Sequence, residues 1–265
     1  MCEVEGQVNP MATTFAVIQR AKSRGLRVSP FSPITGIDCR KGKTMAVRVG
    51  GQRIPTRFVI NAAGAWAPEI GRMVGLKIPI SPRRGILVVS EPLPPLVRHF
   101  LLEASYMTMK LSPQEMERSP EDRVRKGVGF VIEQTKPGTL VLGSSREFAG
   151  YTKEVDFSVV QHIIQRGIRF IPMLREVSGI RFYSGLRPYT PDNMPILGEV
   201  AGIKGFIMAA GHEGSGITLA PITGKLVSEL VAKKVPTIPV GKFNLSRFWE
   251  VRHQEPLRVS KDQKV

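Results

Sequence analysis

The glycine-rich segment GHEGSGIT (211–218) has the residue types of a turn that binds an anion or a planar ring. Its three glycines leave backbone amides uncovered just before a helical pattern, so that unpaired amides and the positive helix end favour negative charge together. The absence of Cβ atoms allows close approach of a planar or phosphorylated ligand. Such a turn can equally be purely structural, and His212 and Glu213, taken alone, are expected to be solvated loop residues.

A second candidate is Arg187, in the segment GLRPYTPDNMPILG (185–198). This arginine follows a strand-like run and precedes three prolines that hold the chain rigid. The planar fork of a rigidly held guanidinium can grip a carboxylate with two parallel hydrogen bonds. The alternative is an ordinary surface or ion-pair arginine.

A third candidate is the segment FVINAAGAW (58–66), an apolar run that predicts a buried parallel strand. It ends in small residues, Ala62, Ala63 and Gly64, which let a ligand lie directly against the chain at the end of the sheet where ligands usually bind. The alternative is close packing of a helix on this strand, with Trp66 in the core.

The surrounding elements divide into three parts. A helix over MATTFAVIQRAKSRG (11–25) precedes short alternating strands and the buried strand. Residues 81–189 favour an antiparallel sheet with a hairpin at 136–138, covered by a helix whose stripe is predicted as Phe157, Val160, Ile164 and Ile168.

The third part is a strand, the glycine-rich turn and a helix that is predicted to open near Ile217 or Thr218. One face of this helix is predicted to comprise Leu219, Ile222, Leu226 and Leu230. The charged, proline-interrupted segment 111–127 is predicted to be an exposed loop or insertion, and 250–265 a flexible tail.

Composition narrows the function classes. The 265 residues are 42% hydrophobic and 23% charged, which indicates a globular chain with one or two cores, and no run is long enough to span a membrane. With no signal-like N-terminus, a cytoplasmic location is predicted. Two cysteines without ligand spacing argue against a metal site. The net charge of +16 suggests an acidic partner, but scattered basic residues argue against nucleic acid.

These three segments, in their order along the chain, resemble the FAD-dependent amine oxidoreductases of the D-amino-acid oxidase and glycine oxidase superfamily. Within it, the sequence is similar to the catalytic flavin subunits of the sarcosine oxidase, proline dehydrogenase, opine oxidase and hydrogen cyanide synthase type. The similarity covers roughly residues 5–249. It implies an α/β fold: a partial, discontinuous FAD-binding Rossmann-like domain (1–80 and 190–249) and an inserted α+β substrate domain with an antiparallel sheet (81–189).

The resemblance also implies residue roles. Arg187 would hold the substrate carboxylate, and Tyr106, Tyr183 and Tyr189 are candidates to line the substrate pocket. Backbone at Ile34 would touch the adenine end of FAD. The remaining cofactor-binding residues implied by the resemblance are Ala63, Gly64, Gly211, His212, Gly214, Ser215, Gly216, Ile217 and Thr218.

One departure from the family pattern matters. Members begin with a strand, a G-x-G-x-x-G turn and a helix that hold the FAD pyrophosphate, and no G-x-G-x-x-G occurs in this sequence. We therefore expect the chain to be the C-terminal part of such an enzyme, as one piece of a split protein or as a truncated product.

The resemblance implies oxidation of an amino acid or secondary amine, in which the C–N bond becomes an imine and a hydride passes to flavin N5. Partner subunits carrying a dinucleotide-binding unit or an iron–sulfur centre are implied as well. Two alternatives remain open: a non-catalytic assembly subunit or remnant of such an enzyme, and a basic nucleic-acid-binding module.

Overall fold

The computed structural model describes residues 6–106 and 118–249. The chain begins with helix α1 (Pro10–Lys22), and Asn9 caps its first turn by accepting a hydrogen bond from the amide of Ala12 at 3.0 Å. The predicted helix over 11–25 is confirmed, with its last residues forming a turn that ends at Gly25. None of the residues of α1 is buried by the described part of the chain.

A small antiparallel sheet follows, in the order β1-β2-β3. Its strands are β1 (Ile34–Arg40), β2 (Lys43–Val49) and β3 (Gln52–Pro55). Lys41 and Gly42 form the two-residue turn between β1 and β2. Their φ values of 48° and 66° are positive, as is required of a hairpin turn that matches the twist of the strands.

The second sheet has the order β10-β11-β4 and contains the parallel pair that the sequence predicts. Its strands are β4 (Val59–Asn61), β10 (Ile196–Glu199) and β11 (Phe206–Ala210). Helix α2 (Ala67–Arg72) contacts β4, and helix α5 (Gly216–Val231) contacts β10 and β11. Ile60 is 43% exposed, so β4 is buried on one face only.

The third sheet is fully antiparallel and has the order β6-β7-β8-β5-β9. Its strands are β5 (Ser81–Pro92), β6 (Leu101–Leu102), β7 (Val131–Gln134), β8 (Thr139–Gly143) and β9 (Gly179–Tyr189). The predicted hairpin at 136–138 joins β7 to β8, closed by a hydrogen bond from the amide of Gly138 to the carbonyl of Thr135 at 2.9 Å.

Helix α4 (Phe157–Phe170) covers one face of this sheet, as predicted. Its stripe differs from the expected one, because Phe157 is 65% exposed and the fully buried positions are Val159, Val160, Ile163 and Gly167. Phe157 is the first residue after the cap Asp156, and its ring packs edge-on against that of Phe182 in β9, with the centroids 5.9 Å apart, while most of its surface stays exposed. Ile164 and Ile168 pack at the margin of the core.

The predicted loop at 111–127 is described only from residue 118, and 107–117 lie outside the described residues. The described part contains a short helix, α3 (Asp122–Arg125), which the loop prediction missed. The predicted tail 250–265 also lies outside the described residues. On the predicted face of α5, Leu226 is buried and Leu219, Ile222 and Leu230 are half-buried.

Two hydrophobic cores organise these elements. One is built from residues between 37 and 80 together with residues between 196 and 245, and the other from residues between 86 and 174. The mixed α/β class with an antiparallel sheet is confirmed, whereas the domain boundaries stay a prediction. Within the described ranges, no helix combines the length and the apolar character needed to cross a membrane, and the cytoplasmic location stays a prediction.

Candidate functional site

Arg187 lies in β9, where it pairs with Arg83 of the neighbouring strand β5. Its guanidinium is held at two points: Nη1 donates to the carbonyl of Ser145 at 2.9 Å, and Nη2 donates to Oγ of Ser144 at 3.2 Å. The side chain is half-buried. The rigid arginine expected from the sequence is therefore present, although it is held by residues following β8 as well as by its own strand.

Glycine at position 85 makes room for this arrangement. A Cβ atom added to Gly85 would lie 2.2 Å from Nη1 and 2.5 Å from Cζ of Arg187, so the guanidinium lies directly against the glycine backbone. Gly185, paired with Gly85 across the strands, has open space where its Cβ would be. Because α4 covers the opposite face of the sheet, Arg187 lies on the face left open beside these two glycines.

The glycine-rich turn connects β11 to α5. Gly211 has φ of 81°, and a Cβ there would lie 2.7 Å from Cγ2 of Thr190, so this position requires glycine. A short 3-10 helix (Glu213–Ser215) follows, and α5 begins at Gly216, one to two residues before the predicted start.

The turn and Arg187 lie side by side. A Cβ added to Gly214 would lie 3.9 Å from Cδ of Arg187, and Gly214 itself is exposed. Two segments that the sequence singled out separately thus form one site at the open face of the sheet.

The expectation that His212 and Glu213 are solvated is wrong. His212 is half-buried, with Nε2 3.0 Å from Oγ1 of Thr223 in α5, and burial lowers the pKa of its imidazole below the ordinary value of 6.5. Glu213 is only 7% exposed, and its Oε2 accepts a hydrogen bond from the amide of Gly214. The turn folds back onto two arginines and buries Glu213, a residue whose polarity alone predicts that it is solvated.

Those arginines are Arg83 and Arg146, both almost completely buried. Oε1 of Glu213 lies 3.6 Å from Nη1 of Arg83 and 3.8 Å from Nε of Arg146. Together with Arg187 they form what we call the arginine cluster: Arg83, Arg146, Arg187 and the carboxylate of Glu213.

Burial dominates the electrostatics of the cluster. It lowers the pKa of Arg83 to about 10, against the opposing attraction of Glu213. Burial and then the charge of Arg146 lower the pKa of Arg187, while Glu213 acts to raise it. Burial is the larger cause of both lowered pKa values and the charge of the neighbouring arginines a smaller one, and a negatively charged ligand would counteract both.

The three candidate tyrosines are placed differently. The ring of Tyr106 lies 4.1 Å from Cζ of Arg146, and that of Tyr189 lies 5.2 Å from Cζ of Arg83, so both border the cluster. Although burial acts to raise it, the pKa of the Tyr106 hydroxyl is lowered, chiefly by the charge of Arg146. Tyr183 shares the face of Arg187 but lies four residues along β9 and is 42% exposed.

Ala63 and Gly64 follow β4, which is parallel to β11, so they leave the sheet at the same edge as the turn. Gly64 has φ of 57° with open space where a Cβ would be. Trp66 is 38% exposed and contacts the ring of Tyr151 at 5.9 Å, so the alternative with Trp66 in the core is wrong. Ile34 lies elsewhere, at the start of β1, packed against the first core.

Between β4, β11 and α5 lies an open groove of about 340 Å³ lined mostly by small and apolar residues. His212 and Gly216 of the turn border it, and Ser215, Ile217 and Thr218 continue around the N-terminal end of α5. The complete lining is Ile60, Ala62, Ala209, His212, Gly216, Ala220, Thr223, Gly224 and Val227.

The residues present fit the ring end of a flavin better than a metal. An apolar groove beside a glycine-rich turn suits a planar heterocycle, and the N-terminus of the 16-residue helix α5 suits its electron-rich edge. Within residues 6–106 and 118–249, no three His, Cys, Asp or Glu side chains are grouped so that they could hold a metal ion.

Sequence reasoning missed Gly85, Arg83, Arg146 and Glu213. One signal was available: the antiparallel pairing expected for 81–189 would place alternate residues of SPRRGILVV on the same face as Arg187. The burial of Arg146 and Glu213 has no local signal, because it arises from contacts between segments far apart in the chain.

Comparisons with known proteins match most of this chain. Residues 2–230 match the family model described as FAD dependent oxidoreductase. The hydrogen cyanide synthase subunit HcnC of Pseudomonas aeruginosa is 31% identical over 250 residues, covering 91% of this chain and 53% of that protein. The glycine oxidase of Geobacillus kaustophilus is 26% identical over 244 residues, covering 92% of this chain and 58% of that protein.

Among solved structures, L-proline dehydrogenase from P. horikoshii has a TM-score of 0.79 at 24% identity, covering 92% of this chain and 60% of that one. The chain thus spans about half the length of the curated relatives it matches. The family match extends over nearly all of the described sequence, including the turn, Arg187 and the strand before Gly64. This chain therefore belongs to the FAD dependent oxidoreductase family, whose members include the amino-acid and amine oxidases and dehydrogenases resembled by its sequence.

Proposed function

We propose that this chain forms the flavin-ring and substrate part of an enzyme that oxidises an amino acid or secondary amine at its C–N bond, giving an imine that water hydrolyses. The observation that carries the proposal is that Arg187 lies beside the glycine turn: its Cδ is 3.9 Å from the position of a Cβ on Gly214, and its guanidinium is fixed by hydrogen bonds to Ser144 and Ser145. A substrate carboxylate and a flavin ring require these two features side by side.

Arg187 is the residue proposed to bind the substrate carboxylate. Its two hydrogen bonds to residues 144 and 145 restrain the guanidinium before substrate arrives, so little conformational entropy is lost on binding. Tyr106 and Tyr189, which border the cluster, are proposed to close the pocket around the substrate, with Tyr183 at its outer margin.

The residues proposed to contact the cofactor are those of the turn, together with Ala63, Gly64 and the backbone of Ile34. FAD, when bound, accepts the hydride removed from the substrate. The amides of the turn and the N-terminus of α5 are placed to stabilise negative charge on the ring. No side-chain base is needed if the amine enters neutral.

The chain is proposed to work with a further segment or subunit that holds the dinucleotide part of FAD. Three observations support this: the sequence lacks a G-x-G-x-x-G turn, α1 buries no residue against the described chain, and Ile60 of β4 is exposed. One relative is itself named a subunit, of hydrogen cyanide synthase. The proposed partners are a dinucleotide-binding subunit, an iron–sulfur electron-transfer subunit, or both.

The test is to tag the chain in its source organism, purify it with its associated proteins and examine the flavin anaerobically. We expect flavin to co-purify and to bleach on adding a secondary or primary amino acid, with sarcosine, proline and glycine as the first panel. Bleaching by none of the amino acids tested, in a preparation that contains flavin, would contradict the proposal and favour a non-catalytic assembly subunit.

The 265-residue chain alone provides the companion measurement. Because the residues proposed to contact the cofactor lie mainly at the ring end of FAD, we expect weak FAD binding in equilibrium dialysis. A tight one-to-one complex of the chain alone would show that no further segment is needed.

A further inference from the structure

The segment that follows β8 is fastened to β5, the strand beside Arg187. The amide of Arg84 donates to the carbonyl of Glu147 at 2.8 Å, and the amide of Glu147 donates to the carbonyl of Arg84 at 2.9 Å. Arg84 comes directly before Gly85 in β5, and successive side chains of a strand point to opposite faces of its sheet. The side chain of Arg84 therefore lies on the face opposite to Arg187, behind the proposed carboxylate site.

The side chains of Arg84 and Glu147 form a buried ion pair behind the site. Nη2 of Arg84 lies 2.6 Å from Oε2 of Glu147, and the two residues are 7% and 9% exposed. Nη1 of Arg84 donates to the carbonyl of Glu154 at 2.7 Å, so the guanidinium is held at a second point. The carboxylate of Glu147 is thereby fixed through one of its two oxygens.

Ser145 connects this ion pair to Arg187. Its Oγ donates to the other oxygen of Glu147, Oε1, at 2.8 Å and accepts from the amide of Ile86 at 3.1 Å. Its carbonyl accepts the hydrogen bond from Nη1 of Arg187 at 2.9 Å. Ser145 is completely buried. One residue thus carries both the hydroxyl that Glu147 fixes and the carbonyl that restrains the guanidinium.

Glu147 also acts on Arg187 through its charge. Burial and then the charge of Arg146 lower the pKa of the Arg187 guanidinium, and the charge of Glu147 acts to raise it. A carboxylate at position 147 therefore favours the charged form of Arg187, which a substrate carboxylate needs, in addition to holding Ser145.

We propose that Glu147 is a positioning residue for the binding of the substrate carboxylate. It acts through Ser145, whose carbonyl restrains Arg187, and Arg84 holds Glu147 in place. A guanidinium that is restrained before binding loses less conformational entropy when the carboxylate arrives. This inference rests on the proposed function for the role of Arg187, but the binding of a carboxylate can be measured without turnover.

The experiment measures carboxylate binding by calorimetric titration of the full 265-residue chain. Butyrate is the probe, and butyramide, which has a similar shape without the charge, is the control ligand. Two double variants are compared. Both carry Arg84→Met, so that neither leaves a buried arginine without its carboxylate. One adds Glu147→Gln, which keeps an oxygen that can accept from Ser145, and the other adds Glu147→Leu, which has none.

We expect the variant with Glu147→Leu to bind butyrate about threefold to tenfold more weakly than the variant with Glu147→Gln, which is what one lost hydrogen bond in a buried network costs. Equal butyrate affinities of the two variants would overturn the inference, because the ion pair would then support only the fold. Butyramide binding as tight as butyrate binding, or no measurable binding of butyrate by the wild type, would overturn it as well.

Ser145→Ala and Ser90→Ala form a matched pair that leaves the ions in place. Ser90 is also a buried serine, and its Oγ accepts from the amide of Leu140 at 2.8 Å. Each alanine removes one buried hydroxyl that accepts from a backbone amide, but only Ser145 is bonded to Arg187. We expect both melting temperatures to fall.

The two serine variants should differ in ligand binding. Ser145→Ala should weaken butyrate binding about threefold to tenfold, whereas Ser90→Ala should leave it unchanged. Equal effects of the two substitutions on butyrate affinity would overturn the inference. If the double variants do not fold, this pair decides alone.

The inference and the proposed function fail separately. Butyrate binding that depends on Glu147, in an assembled protein whose flavin no amino acid reduces, would leave the positioning role standing and contradict the oxidoreductase. Reduction of the flavin by amino acids, together with equal butyrate affinities of the two double variants, would support the oxidoreductase and contradict the positioning role.

Discussion

The guanidinium of Arg187 lies against the backbone of Gly85, so closely that a methyl group at position 85 would stand 2.2 Å from Nη1. The two residues come from neighbouring strands, β9 and β5, and are two positions out of register. The pocket for a substrate carboxylate therefore depends on a residue that carries no side chain.

Gly85→Ala should displace Arg187, because a contact of 2.2 Å cannot be relieved without moving either the guanidinium or the strand. We expect a loss of about 1 to 3 kcal/mol in the free energy of unfolding, and butyrate binding weakened about tenfold or more. Denaturant unfolding and calorimetric titration measure these two effects.

Gly185→Ala is the matched control, since Gly185 pairs with Gly85 on the same face and has open space at its Cβ position. The free energy of unfolding of Gly185→Ala should stay within about 0.5 kcal/mol of that of the wild type. If the two alanine variants lost the same butyrate affinity, the proposed support of Arg187 by Gly85 would be wrong.

The start of α4 gives a prediction about pH. Asp156 caps this helix, its Oδ1 accepting from the amide of Ser158 at 2.9 Å, and its Oδ2 lies 3.1 Å from Nζ of Lys126. Hydrogen bonding by Ser158, and then by Lys126, lowers the pKa of this carboxyl to about 2, against the opposing effect of burial.

A carboxyl whose pKa is lower in the folded than in the unfolded state stabilises the protein while it is ionised. The contribution of Asp156 is therefore full above its ordinary pKa of 3.8 and is lost as the pH falls through about 2. Asp156→Ala should lower the free energy of unfolding by about 1 kcal/mol at pH 7. Asp156→Asn keeps a capping acceptor, and its difference from wild type should shrink from pH 5 to pH 3. A difference that grew over this range would contradict the assignment.

Helix α1 predicts association. Met11, Phe15 and Val17 are 78%, 65% and 63% exposed on a helix none of whose residues is fully buried by the described chain. Exposed apolar surface of this kind usually marks an interface. The chain alone should self-associate in light scattering, and Phe15→Lys should reduce that association while leaving the melting temperature unchanged. A wild-type chain that remains monomeric would contradict the prediction.

Much of the fold could be predicted from local patterns. The helix over 11–25, the parallel strand before Ala63, the hairpin at 136–138 and the unit of strand, turn and helix around Gly211 all have signals within a dozen residues. The resemblance, and not spacing, implied that the glycine-rich turn and Arg187 belong to one site, since Gly214 lies 27 positions after Arg187 in the chain.

What could not be predicted depends on contacts between distant segments. Glu213 is predicted to be solvated because its neighbours are glycine and histidine, yet it is buried against Arg83 and Arg146, which come from distant segments of the chain. Phe157 is predicted to belong to the apolar stripe, yet it is 65% exposed and packs edge-on against the ring of Phe182. In both cases the tertiary partner, which local polarity does not encode, decides the burial.

The most direct test of the central claim is the effect of Arg187→Leu on the assembled enzyme, measured as kcat/KM for matched amines with and without a carboxylate. Removing a guanidinium–carboxylate pair typically costs about 2 to 4 kcal/mol, so kcat/KM for the carboxylated amine should fall about thirty- to several-hundred-fold. Flavin content should stay the same. Arg187→Lys should give a kcat/KM between those of the wild type and of Arg187→Leu, because lysine keeps the charge without the planar fork. The amine without a carboxylate should be a poor substrate of the wild type and no worse with the variant. If Arg187→Leu left kcat/KM for every carboxylated amine within about twofold of wild type, Arg187 would not bind the substrate carboxylate.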